Sequence, residues 1–239
     1  MRTFERKTKE PDHTIRPYEQ RDREVVRRIC CETGFLGEPI DAVFSDREVF
    51  ADFLTRYYTD IEPESSWVGE KNGQVVGYLL GCKRWHLNRW WNLWNQIGLA
   101  FKVGWRLLTG HYDAKSRKFL KWIVTRGWRE TPAAPSQSAH FHCNSLKGHR
   151  KIGIIRDLIM TLFEDLRKHG VPKVYGQMVT YDSRRTERVF EYMGFKVVSK
   201  KRISKYEKTV DKELYLTTAV MEINETREKK SIIYDLPMG

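Results

Sequence analysis

The period of apolar and polar positions changes several times along the chain, and each change marks an element. Residues 13–18, "HTIRPY", form a short strand candidate. "DREVVRRICCETG" puts Val25, Val26, Ile29 and Cys30 at helical spacing and closes on Gly34. In "SDREVFADFLTRYYTD", Ser45 with Glu48 three places on predicts a capping box for a second helix. "SSWVGEKNGQVVGYLLGC" reads as two β-rich runs around Asn72-Gly73, a pair suited to the positive φ angles of a tight hairpin. Residues 84–138 break the rhythm and end in the loop "TPAAPSQS". "AHFHCNSL" alternates as a strand. "GIIRDLIMTLFEDLRKHG" is an amphipathic helix with Ile154, Leu158, Leu162 and Leu166 on one face and Gly170 as its stop. "VPKVYGQMV" is a strand, "SRRTERVFEYMG" a helix, and "FKVVSKKRISKY" and "ELYLTTAVMEI" closing strands. The order βααββ, insertion, βαβαββ predicts an α/β (α+β) chain, a mixed sheet with helices on its faces. One domain over 13–223 is expected, carrying the insertion 84–138 between the third and fourth strands, with tails at 1–12 and 224–239.

Composition narrows the partners. The chain has 239 residues and a formal net charge of +12, which favours anionic ligands or surfaces. The insertion concentrates this charge. Between Gly81 and Glu130 eleven lysines and arginines face only Asp113 and Glu130, so the segment holds +9 of the +12, and it holds seven of the eight tryptophans. "NRWWNLWNQIGLAFKVGWRLL" can align Trp90, Leu93, Trp94, Ile97 and Phe101 in one helical stripe. The plain expectation is that this stripe packs on the sheet or on a second subunit. The sharper one is an acceptor-site wall or a patch for an anionic membrane surface. Nucleic acid is a weaker alternative, because no recognised module accompanies the charge. Cys30, Cys31, Cys82 and Cys143 form no CxxC pair and read as buried thiols in a reducing, cytoplasmic setting, with no metal site expected. The polar N-terminus has no apolar core of the kind an export signal needs.

The segment "HFHCNSLKGHRKIGIIRDLI", 140–159, turns from strand to helix through a basic glycine-containing loop. Free amides at a helix start, with the helix dipole and Lys147, His149, Arg150 and Lys151, suit a phosphate or pyrophosphate. An ordinary basic loop would look the same. The stretch is neither a Walker loop nor a dinucleotide fingerprint.

With these motifs in view, the chain resembles the GNAT superfamily of acyl-CoA-dependent N-acyltransferases. The family loop Arg/Gln-x-x-Gly-x-Gly/Ala is matched by Arg150-Lys151-Ile152-Gly153-Ile154-Ile155, and "VFEYMGF" (189–195) resembles the family's "FYEKLGF". "TIRPYEQRDREVVRRICCETGFLGEP", "YYTDIEPESSWVGEKNGQVVGYLLG" and "AHFHCNSL" look closer still to the acetyltransferase-like domains related to O-GlcNAc hydrolases, with their "TG…G" helix, "EPE" and "HLHID" strand. The resemblance spans roughly 14–83 and 138–223 and leaves out the insertion.

It implies a mostly antiparallel central sheet, acetyl-CoA as acyl donor, and a small-molecule or protein amine as acceptor. It implies backbone contacts to the pantetheine arm from Asn144, Ser145 and Leu146, pyrophosphate binding by the amides of Arg150 to Ile155, and a polar contact from Ser183. Three positions depart from the family pattern. Ile155 stands where a small residue is usual, Asn144 replaces the acid of "HLHID", and Phe190 replaces the tyrosine that acts as general acid. His140 and His142 share one strand face and are candidate bases, with an ordinary pKa near 6.5. They read equally as packed strand histidines. Glu64, with Glu62, is a second candidate base or a solvated turn. The expected function is N-acyl transfer to a primary amine in a ternary complex. The rival readings are a non-catalytic acyl-CoA-binding module and a peripheral binder of anionic surfaces.

Overall fold

Strands β1 (Thr14–Pro17), β2 (Ser66–Lys71), β3 (Gln74–Cys82), β4 (Ala139–Ser145), β5 (Lys173–Thr180), β6 (Lys196–Ile203) and β7 (Leu214–Glu222) form one sheet in the order β1-β2-β3-β4-β5-β7-β6. The computed structural model describes residues 12–149, 152–181, 188–207 and 209–223. The expected tails, except Asp12, lie outside the described residues, as do Arg150, Lys151 and Ser183. Every strand pair is antiparallel except β4 with β5. The hairpin forms at Asn72 and Gly73, whose φ angles are 51° and 73°. Just beyond it a register shift at Gly69/Glu70 resets the alternation, so Val76 and Leu79 face one side of the sheet while Tyr78 and Leu80 face the other.

Helices cover both faces. α1 (Arg23–Thr33) and α2 (Arg47–Asp60) pack on the side of Tyr78 and Leu80. The helix α6 (Ile152–Lys168) covers the opposite side, with the short α7 (Arg188–Tyr192) beside it. The predicted stripe of α6 is the buried one: Ile154, Leu158, Leu162 and Leu166 are all at most 3% exposed. Each such side chain contributes roughly 1.5–3 kcal/mol by leaving water. Close approach of α6 to the sheet depends on glycine. A Cβ at Gly69 would come within 2.8 Å of Ile154, and one at Gly81 within 3.0 Å of Leu162. Cys30, Cys31 and Cys82 are buried thiols, as expected, and Cys143 is partly buried.

The insertion folds into α3 (Trp85–Leu108), α4 (Ala114–Trp122), a wide turn over Ile123–Gly127 and α5 (Trp128–Glu130). Two expectations need correction here. The cap of α2 is Asp46, which accepts from the Val49 amide at 3.1 Å, and the Ser45–Glu48 box does not form. Glu48 is taken by Lys102 (2.7 Å) and Arg106 (2.8 Å), which reach down from α3. The aromatic stripe of α3 does not pack on the sheet. Trp90, Leu93, Trp94, Ile97 and Phe101 are exposed, and the opposite face, with Asn88, Trp91 and Leu99, lies inward toward α2. Among the described residues no helix is long and apolar enough to cross a membrane.

Candidate active site

Parallel pairing between β4 and β5 lasts for two positions, Ala139 with Val174 and His140 with Tyr175. Beyond them β4 remains paired with β3 as far as Ser145, and β5 with β7 as far as Thr180. The sheet therefore splits along its middle, and the split widens toward the strand ends where α6 begins. Register decides which backbone groups line it. The Leu146 amide donates to the Val76 carbonyl at 2.9 Å. In an antiparallel ladder the bonded pairs alternate, so Asn144 and His142 also turn their backbone toward β3. Ser145, Cys143 and Phe141 turn theirs toward the β5 side. Of the three residues expected to lend backbone groups to a ligand, Ser145 is the one whose register puts it on the split.

Side chains divide the split into two unlike faces. Toward α6 and α7 it is aromatic. Phe141, Phe163 and Phe190 all pack on Phe195, with ring centroids 5.8–6.1 Å apart. Gly176 leaves room for the Phe141 ring, which a Cβ there would meet at 3.1 Å. Phe190 is a buried member of this cluster and carries no transferable proton. Ile155 packs into the same core, so its bulk is turned into the protein instead of across the loop. Gly153 faces His13, 3.2 Å from where its Cβ would stand, and His13 in turn holds Asp157 at 2.8 Å. A side chain at Gly153 would thus press on His13, just before β1, by a few tenths of an ångström.

Toward α1 and α2 the split is polar. Asn144 donates from Nδ2 to the Tyr78 hydroxyl (3.0 Å) and lies 3.2 Å from Nε2 of His142. With Nε2 accepting, Nδ1 of His142 carries the ring proton and faces the Tyr78 oxygen at 3.5 Å. His140 lies between the rings of Tyr58 and Tyr175, at 5.9 and 5.4 Å. Burial pushes both imidazoles down to about 4, although the charge of Glu62 pulls the other way on His140. The expectation of two histidines titrating near 6.5 is therefore corrected: both are neutral at pH 7 and hold a proton weakly. Burial raises the Tyr175 hydroxyl to about 12 and the Tyr58 hydroxyl above its ordinary range, so both keep their protons.

The two glutamates separate. Glu62 is fully buried and accepts from the Tyr57 hydroxyl (2.7 Å), the Ser65 hydroxyl (2.9 Å) and the Lys83 amide (2.7 Å). It is the carboxylate that His140 senses. Glu64 is exposed and bound by Arg84 at 2.6 Å, and no hydrogen bond joins it to either histidine. Tyr58, Tyr78 and Tyr175 were not legible as site residues. Tyr175 is placed by the parallel β4–β5 pairing, Tyr78 by the antiparallel β3–β4 ladder and Tyr58 by the packing of α2, and nothing local in "YYTD" or "KVYGQ" signals these long-range contacts.

No protein-family model matches this sequence, and no curated protein sequence matches it. Solved structures do. A protein described as SsHAT superposes with a TM-score of 0.61 at 23% identity, covering 89% of this chain and 99% of its own. The structure of yncA from Salmonella typhimurium, solved with its cofactor acetyl-CoA, superposes at 0.53 with 16% identity over 90% of this chain and 96% of its own. An N-acetyltransferase from Staphylococcus aureus Mu50 gives 0.52 at 12% identity, over 89% and 99%.

The chain has the GNAT fold.

At these identities the likeness is one of architecture. What is shared is the seven-stranded, mostly antiparallel sheet with helices on its faces.

Proposed function

We propose that the chain is an acyl-CoA-dependent N-acyltransferase that uses acetyl-CoA and transfers its acyl group directly to a primary amine. The two-pair β4–β5 ladder carries this reading, because it leaves an opening in mid-sheet with backbone groups aimed into it. The fit of an acyl-CoA rests on three features. Ser145 turns its amide and carbonyl to the split. Nothing lies within 4 Å of where a Cβ on Gly148 would stand, so a ligand can approach that loop closely. The first-turn amides of α6, Ile152 to Ile155, have no partners within their own helix and suit the pyrophosphate.

Bound acetyl-CoA supplies a thioester carbonyl and a thiolate leaving group. The chain's residues do the rest. Backbone groups of β4 orient the carbonyl, worth several kcal/mol when donors are fixed in advance. His140, set between two tyrosines, accepts a hydrogen bond from a neutral amine and positions it, while His142 has its one acceptor nitrogen taken by Asn144 and its ring proton aimed at Tyr78. Their weak basicity means that they do not strip an ammonium ion, so the acceptor reacts as the free base. Tyr175, beside His140, replaces Phe190 as the donor to the departing sulfur, and the proton that the acylated nitrogen releases passes through His140 to restore the Tyr175 hydroxyl, so the proton lost by the amine ends on the thiol.

The acceptor meets the polar face, whose rim the insertion shares. Phe119 of α4 stacks on Phe44 with centroids 5.0 Å apart, and Lys205 of the β6–β7 loop lies over Phe119 at 4.8 Å. Lys118 and Lys121 are exposed on that helix. Such a rim disfavours polyamines and favours an amine that carries, or is presented by, an anionic group. Thiol release from acetyl-CoA across an amine panel tests this. Acceptors with a nearby carboxylate or phosphate are expected to turn over best, and Lys118→Glu with Lys121→Glu to raise their KM several-fold while leaving acetyl-CoA affinity unchanged. If spermidine-like amines are the best acceptors, the reading of the rim is wrong. If no amine releases thiol although acetyl-CoA binds, the chain is an acyl-CoA-binding module, the alternative that Phe190 favours.

A further inference from the structure

We infer that α3 is a homodimerisation helix, pairing antiparallel with α3 of a second copy about a two-fold axis between Ile97 and Gly98. The inference is independent of the acyltransferase reading. Trp90, Trp94, Phe101 and Trp105 are 67%, 70%, 77% and 69% exposed, on the face of α3 turned away from α2. Fully presented aromatic side chains offer about 150–250 Å² each, so these four alone expose roughly 400–700 Å² of apolar surface. That matches or exceeds the largest patch of a typical monomer, and with the exposed leucines and Ile97 it approaches the roughly 800 Å² per partner of a stable interface.

The order of residues along the stripe says what covers it. Counted outward from the midpoint of Ile97 and Gly98, Trp94 mirrors Phe101, Trp90 mirrors Trp105 and Leu87 mirrors Leu108. Like meets like at these three steps if the helix meets itself in the reverse direction, while Leu93 mirrors Lys102, whose ammonium is turned onto Glu48. An isologous contact brings each residue of a mirrored pair against the other twice, so a near-palindromic order of large apolar side chains makes the patch complementary to itself. The spacing of four and three residues through Trp90, Trp94, Ile97, Phe101, Gly104 and Leu108 is that of a helix–helix seam. Gly104 bears no side chain and leaves a shallow, open notch between Phe101, Trp105 and Leu108 that an aromatic side chain of the second copy can enter. No charged side chain lies in the stripe. Of the flanking cations, Lys102 and Arg106 are turned back onto Glu48 and Asp46 of the α2 end, while Arg89, next to Trp90, is exposed.

The test uses the full chain. Light scattering over a concentration series should give about twice the 28.4 kDa chain mass. Trp94→Glu with Phe101→Glu should return it to one chain with an unchanged far-ultraviolet dichroism spectrum. The axis makes a sharper demand that does not depend on that variant folding. Gly98→Cys should form an intermolecular disulfide on oxidation. Gly104→Cys should not, because antiparallel pairing holds those two positions about 20 Å apart along the seam. A wild-type monomer at every concentration, or equal cross-linking at both positions, overturns the proposal. So does a monomer that floats with phosphatidylserine vesicles, which would assign the stripe to lipid.

Discussion

At the scale of residues, His140 and His142 decide how the chemistry responds to pH. Each has its pKa lowered to about 4 by burial, so neither changes charge between pH 5.5 and 8. The acceptor amine, with an ordinary pKa near 10, does. The kcat/KM for the amine is therefore expected to rise about tenfold per pH unit from 6 to 8, with no inflection near 6.5. A bend at 6.5 that disappears in His142→Gln would show a conventional histidine base and contradict this account. In stability the sign is equally fixed. The unfolded chain binds protons on these residues from about 6.5 downward while the folded chain resists to about 4, so both histidines erode stability as the pH falls through that window. Alternation in "AHFHCNSL" was enough to place the two rings on one face. It could not show that Tyr58, Tyr78 and Tyr175 enclose them, because those contacts join segments about 35 to 80 residues apart.

Among the elements, α3 is tied to the start of α2 through two carboxylates, the exposed Glu48 and the buried Asp46. Asp46 caps α2 through the Val49 amide and also accepts from Arg106 at 2.6 Å and the Tyr112 hydroxyl at 2.7 Å. Burial alone would raise its pKa, but the hydrogen bonds from Arg106, Tyr112 and the Val49 amide outweigh burial and hold it below the usual carboxylate range. Asp46→Ala is expected to lower the unfolding free energy by about 2–4 kcal/mol at pH 7, the sum of a lost cap and lost charged hydrogen bonds. A depressed carboxyl contributes above its unfolded pKa, near 3.8, and the contribution is lost as the pH falls through the folded value. The gap between wild type and variant in urea melts should thus shrink below pH 4. A gap under 1 kcal/mol at pH 7, or one that persists at pH 2, would show that Asp46 does not anchor the insertion. Helical period placed α1, α2 and α6 within a residue or two. It missed the Asp46 cap, since Ser45, Asp46 and Glu48 all suit a helix start and only the arrival of Arg106 from α3 selects among them.

For the whole molecule, the GNAT fold was legible from the alternation of strands and helices and from two short motifs. The expected position of the insertion, between third and fourth strands, agrees with the chain order β3, α3, β4. The outward face of α3 was not legible. A stripe of tryptophans has the same period whether it meets a sheet, another subunit or water, and here α2 already occupies the inward side. Nor could the one-dimensional pattern show that β4 and β5 part after two pairs, the feature on which the proposed chemistry rests. Ser145 isolates that feature. Its amide faces the split, so proline at this position removes a donor from the split while sparing the β3–β4 ladder. Alanine keeps the donor and removes only the hydroxyl. Calorimetric titration of acetyl-CoA into wild type, Ser145→Ala and Ser145→Pro is the most direct test of the split as the acyl-CoA site. The account predicts binding by wild type and Ser145→Ala with similar affinity, and about tenfold weaker binding by Ser145→Pro with a similar melting temperature. Equal affinity in all three, or no binding by wild type, would contradict it.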